Sequence, residues 1–116
     1  MLIVEDDAAL NAALARAMQR HGFVISNYCD NQLAMAAISQ NQFDYAVLDL
    51  KVGQDSGLDL LPLLLQQNKE VKAVVLTGYS SIATAVDSIK LGAVNYLCKP
   101  ASAQQILEAF DGDVTP

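Results

Sequence analysis

Tryptophan is missing from this chain, histidine occurs once and cysteine twice, and each shortage narrows what the protein can be. The lone histidine, His21, falls at the end of a predicted helix, where it suits the negative end of the helix dipole better than a metal. Cys29 and Cys98 stand far apart and form no C-x-x-C or other metal-type spacing. Both lie in or beside apolar runs, so they read as buried thiols of a reducing compartment. Basic residues are scarce. The 7 Lys and Arg against 13 Asp and Glu leave a formal charge of −6, which disfavours nucleic-acid binding by this segment itself. No apolar run is long enough to cross a bilayer and no positively charged signal segment is present, which points to a cytoplasmic protein without membrane contact. Low-complexity tracts and internal repeats are lacking too.

What is present is the composition of one folded domain. Charged residues make up only 17% and apolar residues 53% of 116 positions, enough for a hydrophobic core without staples. The centre of the pattern is Phe43 to Gly57. Tyr45 to Leu48 is apolar without alternation, as in a strand buried on both faces of a parallel sheet. It ends in Asp49, and a loop with Lys51, Gly53, Gln54, Asp55, Ser56 and Gly57 follows. Open α/β sheets bind ligands at that end of their strands. For an isolated Asp after a strand, a turn cap is the simpler reading.

The remainder of the chain alternates the same two patterns. Met1 to Val4 is an apolar strand leading into Glu5-Asp6-Asp7, and Asp7 caps a helix from about Ala8 to Arg20 with Leu10, Leu14, Ala17 and Met18 inward and Gly22 as its stop. Phe23 to Tyr28 is a second strand, and Asp30 caps a helix whose inner face is Leu33, Ala34, Ala37 and Ile38. Leu58 to about Gln67 is Leu-rich and helical, with Pro62 demanding a kink or a displaced start. Val71 to Leu76 is a strand delivering Thr77-Gly78; Ser80 or Ser81 opens a helix with Ile82, Ala85, Val86 and Ile89 inward, closed by Gly92. Ala93 to Cys98 is the last strand and ends in Lys99-Pro100. Ser102 and Gln105 have capping-box spacing before a helix with Ile106, Leu107 and Phe110. Strand and helix thus alternate through the chain with short connections, which predicts a doubly wound (βα)₅ sandwich around a five-stranded parallel sheet.

In such a sheet Glu5-Asp6, Asp49, Thr77 and Lys99 all come to one edge. Three carboxylates together are unfavourable unless a cation or a raised pKa relieves them, and with only oxygen ligands on offer the cation is Mg²⁺. A carboxylate beside Mg²⁺, a hydroxyl and an ammonium can accept a phosphoryl group: Asp49 as nucleophile, Thr77 and Lys99 stabilising the transferring oxygens. Each residue alone has an ordinary reading, as cap, strand-end hydroxyl or solvated charge. Their convergence is the signal.

Ile3-Val4-Glu5-Asp6-Asp7, Leu48-Asp49-Leu50, Leu76-Thr77-Gly78 and Tyr96-Leu97-Cys98-Lys99-Pro100 resemble, in order and spacing, the motifs of two-component response-regulator receiver domains (CheY-like, flavodoxin-like topology). The resemblance implies Asp49 as phosphoacceptor, Asp6 as direct Mg²⁺ ligand, Glu5 acting mostly through metal-bound water, and Lys51 through its backbone carbonyl. It implies Thr77 and Tyr96 as a switch pair, Lys99 as phosphate partner, and a cis peptide before Pro100. Lys51 and Tyr79, two positions after the acceptor and the switch threonine, would influence the lifetime of the phosphoryl group. The stretch Leu76 to Ala93, with Asp49-Leu50-Lys51 and Lys99-Pro100-Ala101, is similar to the redox-responsive global regulators of the RegA/PrrA/ActR type. On that resemblance residues 1–110 are the receiver domain, 111–116 begin a linker to a DNA-binding output domain beyond this chain, and the donor is a sensor histidine kinase. The response is dimerisation or release of the output domain. Gln104 and Gln105 stand where a charge ladder between receivers would want charged residues, so the mode of dimerisation stays open. The module is a switch rather than an enzyme, apart from assisting its own phosphorylation and dephosphorylation.

Two rivals fit less well. A phosphohydrolase of the haloacid-dehalogenase type wants a second Asp two residues after the nucleophile, and this chain has Lys51 there. An unphosphorylated pseudo-receiver, acting only as an interaction module, would have lost part of the acidic cluster, the Thr or the Lys, and all are present.

Overall fold

The computed structural model describes residues 1–78 and 82–111. Strands β1 (Leu2–Val4), β2 (Ser26–Tyr28), β3 (Tyr45–Asp49), β6 (Lys72–Thr77) and β7 (Asn95–Cys98) form a parallel sheet in the order β2-β1-β3-β6-β7. Between them lie α1 (Ala8–Arg20), α2 (Asn31–Gln40), α3 (Leu61–Gln67), α4 (Ile82–Lys90) and, at the end, α5 (Ala103–Phe110). This is the doubly wound sandwich the sequence predicts. The strand order reverses between β1 and β3, which opens a crevice beyond their carboxyl ends.

Side-chain alternation divides the apolar runs between two cores. Leu2, Val4, Ala46, Leu48, Ala73 and Val75 face α2 and α3, packing on Ala34, Ile38, Leu60, Leu61 and Leu64. Ile3, Val47, Val74 and Leu76 face α1 and α5, packing on Leu14, Met18, Ile106 and Phe110. Each Leu, Ile or Val so buried contributes about 1.5–3 kcal/mol. That double burial is why the strands read as continuous apolar runs.

Local signals set the helix ends. Asp7 Oδ1 accepts from Leu10 N at 3.1 Å and Asp30 Oδ1 from Leu33 N at 2.8 Å. Ser102 and Gln105 close both bonds of the predicted capping box, at 3.1 and 2.9 Å. Pro62 displaces its helix: a 3₁₀ turn, Gly57–Leu60, comes first, and the proline falls in the first turn of α3, where its missing N–H costs nothing.

Several expectations are corrected. Pairing of β2 starts only at Ser26, and Val24 is 87% exposed. Leu33 points outward, because Asn31, Ala34 and Ile38 set the buried phase of α2, with Asn31 Nδ2 held by the Ser56 carbonyl at 3.0 Å. Val86 and Ile89 are exposed while Ser88 is buried, so the inner face of α4 is turned from the one predicted. Cys29 and Cys98 are both exposed, not buried: each follows or ends a short edge strand, where alternation no longer places a side chain under a helix. A hairpin of β4 (Lys51–Val52) and β5 (Asp55–Ser56) occupies the loop after Asp49. The predicted helix start at Ser80 or Ser81, the side chains of Ile82 and Ala85, and the linker from residue 112 lie outside the described residues.

Candidate acidic site at the carboxyl edge of the sheet

Registers Val4↔Leu48 and Asp49↔Leu76 bring the ends of β1, β3 and β6 level. One step past Val4, the chain presents Glu5 on the same side as Ile3, towards α1 and α5. Asp49 follows Val47 to that side, and Lys99 follows Leu97. The three side chains meet: Lys99 Nζ lies 2.5 Å from Glu5 Oε1 and 2.9 Å from Asp49 Oδ2. Glu5 is 1% and Asp49 4% exposed. The Lys99–Pro100 peptide is cis, as the resemblance implies.

Asp6 stands beside them at the surface, and carboxylate oxygens of Glu5, Asp6 and Asp49 all lie within 4.8 Å of one another. The Asp6 Oδ2 atom accepts from Gly53 N at 2.9 Å, and the Lys51 N–H donates to Asp49 Oδ1 at 3.4 Å. A cleft of about 320 Å³ opens over the group, lined by Asp6, Asp49, Lys51, Gly78 and Lys99.

The electrostatics follow from burial and neighbours. Burial above all, with the Asp49 carboxylate next, pushes the Glu5 carboxyl up to about 7, and Lys99 offsets only part of this. Burial also opposes the charge on Lys99, but its bonds to Glu5 and Asp49 outweigh it and hold the ammonium above its ordinary pKa. The Gly53 N–H, followed by Glu5, holds Asp6 below the usual carboxylate range. The site therefore keeps a proton available for Glu5 near neutrality, while Asp6 stays ionised. Every donor is a carboxylate oxygen, a set that suits a hard divalent cation.

Thr77 and Tyr96 take the opposite side of the sheet. Thr77, 3% exposed, ends β6. Tyr96 is half-buried against the α2 and α3 core and pairs in register with Val75, two residues before Thr77 on the same face. Tyr79 lies outside the described residues. The structure thus brings Glu5, Asp6, Asp49 and Lys99 together, with Lys51 at the rim. Sequence reasoning missed Gly53 and Gly57. The Gly57 backbone packs so closely on Asp49 that a Cβ there would run into the Asp49 carbonyl oxygen and come 3.2 Å from Leu48 Cβ. Glycines in the loop were visible, but the contacts that require them are not encoded locally.

An open parallel sheet with an acidic pocket and an ion-paired lysine at its carboxyl edge defines a CheY-like α/β switch fold. Residues 1–111 match the response regulator receiver domain model, and the chain belongs to that family, the phosphorylation-activated module of two-component signalling. It is 42% identical over 110 residues to the acid tolerance regulatory protein ActR of Sinorhizobium medicae, covering 95% of this chain and 57% of that protein. With the photosynthetic apparatus regulatory protein RegA of Rhodobacter capsulatus it shares 44% over 111 residues, 95% of this chain and 60% of the relative. These are regulators of the type the sequence resembles. The chain spans less than two thirds of their length. Among solved structures, a response regulator of Burkholderia pseudomallei with a phosphorylated aspartic acid, calcium ion and citrate superposes with a TM-score of 0.89 at 38% identity, over 94% of this chain and 64% of that one. A CheY-like receiver domain protein of Methanospirillum hungatei gives 0.86 at 27% identity, over 95% and 88%. No helix among the described residues is long and apolar enough to cross a membrane.

Proposed function

We propose that Asp49 accepts a phosphoryl group from the phosphohistidine of a sensor histidine kinase, with Glu5, Asp6, Asp49 and the backbone carbonyl of Lys51 holding a Mg²⁺ ion beside it. The observation that carries this reading is the convergence of three carboxylates within 4.8 Å on a lysine that already touches two of them. When bound, the ion supplies positive charge next to the transferring oxygens. An Asp49 carboxylate oxygen bonds to phosphorus as the bond from phosphorus to the kinase imidazole nitrogen breaks, and the imidazole keeps the electron pair. Lys99 leaves Asp49 and pairs with a phosphoryl oxygen, and the Thr77 hydroxyl donates to another.

Drawing Thr77 towards the phosphoryl group vacates space on the face it shares with Tyr96, and the ring moves in. The surface of α4, β7 and α5 changes with it, which drives dimerisation or releases an output domain. Lys51 and Tyr79 flank the phosphoryl group and set how long it survives. The relatives are longer than this chain, so we place a DNA-binding output domain after the receiver of residues 1–110 and a linker beginning at 111. The module works in the cytoplasm as a switch and turns over no other substrate.

The test is intact mass after incubation with a small phosphodonor, with and without Mg²⁺, for wild type and Asp49→Asn. A Mg²⁺-dependent gain of one phosphoryl group in wild type alone is expected. Wild type that gains none with any donor overturns the reading.

A further inference from the structure

We propose that the backbone N–H of Gly53 is a positioning donor for the cation site: the hairpin after the acceptor strand straps down Asp6 and aims its carboxylate into the acidic cluster. This rests on the reading of Asp6 as a metal ligand. The strap is anchored at each end by contacts independent of Asp6. At its base Gly57 N donates to Leu50 O at 3.2 Å, and the Asn31 amide holds the Ser56 carbonyl at 3.0 Å. Ser56 Oγ accepts from Leu58 N at 3.1 Å, which fixes the exit into the 3₁₀ turn. The turn joining β4 to β5 is therefore held in place before it meets Asp6.

The contact itself makes two demands that glycine meets. Gly53 has φ +61°, in the left-handed region that costs most side chains energy, and its N–H must be free to donate to Asp6 Oδ2 at 2.9 Å. Asp6 is exposed, so without this bond its side chain would sample several rotamers. With Oδ2 held, the carboxylate stays in the cluster it forms with Glu5 and Asp49. A donor that orients a ligand in this way typically changes metal affinity by about 10–100-fold when lost.

Mg²⁺ titration calorimetry on the 116-residue chain separates the possibilities. Gly53→Asn keeps the N–H and tolerates the left-handed conformation, so its Kd should stay within about twofold of wild type. Gly53→Pro removes the N–H and the conformation, and Kd should rise by roughly tenfold or more. In an Asp6→Ala background, which leaves the Gly53 N–H no side-chain acceptor, the same Gly53→Pro change should add less than about twofold, because the donor acts through Asp6. A Gly53→Pro chain that binds Mg²⁺ as wild type does, or loses as much affinity with Asp6 already replaced, overturns the proposal. An Asp6→Ala chain that binds Mg²⁺ normally overturns the reading beneath it instead. A second measurement needs no Gly53 variant: in metal-free NMR spectra, Asp6→Ala should shift the Gly53 amide proton upfield and speed its solvent exchange. An unmoved Gly53 resonance overturns the strap.

Discussion

Lys99 Nζ sits 2.5 Å from the Glu5 carboxylate, a contact between residues 94 apart in the chain that closes the first strand on the last across the width of the site. The same ammonium reaches Asp49 at 2.9 Å, so one partly exposed lysine holds two buried carboxylates. Removing it leaves like charges facing each other with little water to screen them. Lys99→Met should lower the metal-free stability at about pH 8 by roughly 2–3 kcal/mol. At about pH 6 the loss should be smaller, because Glu5 can then take up a proton. Urea melts in chelator at the two pH values measure the difference, and an equal loss at both would refute it.

Glu5 also predicts a pH dependence in wild type. Its carboxyl titrates near 7 when folded against 4.5 when unperturbed, so between those values the folded state holds the extra proton. The stability this group contributes is fully present below the lower value and is lost as pH rises through the higher, about 1–3 kcal/mol in all. Asp6, lowered by the Gly53 N–H, acts in the opposite sense, losing stability only as pH falls through the acid range. On the proposed cation site, in which Glu5 takes part as a carboxylate, Mg²⁺ affinity should rise by roughly tenfold per pH unit up to about 7 and then level off. Glu5→Gln should flatten that profile, and calorimetry at several pH values would reveal it.

Gly57 is fixed by contact. A methyl group there meets the Asp49 carbonyl oxygen, so Gly57→Ala should cost about 2–3 kcal/mol and slow labelling of Asp49 by a phosphodonor. Gly78, where an added Cβ meets nothing within 4 Å, is the control: Gly78→Ala should stay within about 0.5 kcal/mol of wild type. Thermal melts of the two variants decide it, and equal destabilisation would remove the argument.

Both cysteines are exposed, so both should react with a chromogenic disulfide reagent in the absence of denaturant. Two thiols titrated in the folded chain is the expected count. Reaction only after addition of denaturant would return Cys29 and Cys98 to the interior.

Much of this protein was determined by the sequence alone, wherever the deciding interaction is short in range. Apolar runs such as Tyr45 to Leu48 specify strands buried on both faces, and Asp7, Asp30 and Ser102 each cap a helix by accepting from the backbone N–H three residues on. Alternating strands and helices then leave one favourable topology, and that topology alone carries Asp6, Asp49 and Lys99 to a common edge. Tertiary structure decided what depends on helix phase and on contacts across the chain. Leu33 looks like a core residue until Asn31 turns α2 by bonding Ser56, 25 positions on. Two-residue strands such as β4 and β5 are too short to show a period. The bond from Gly53 to Asp6 spans 47 positions, and only the folded sheet edge brings that donor to that acceptor.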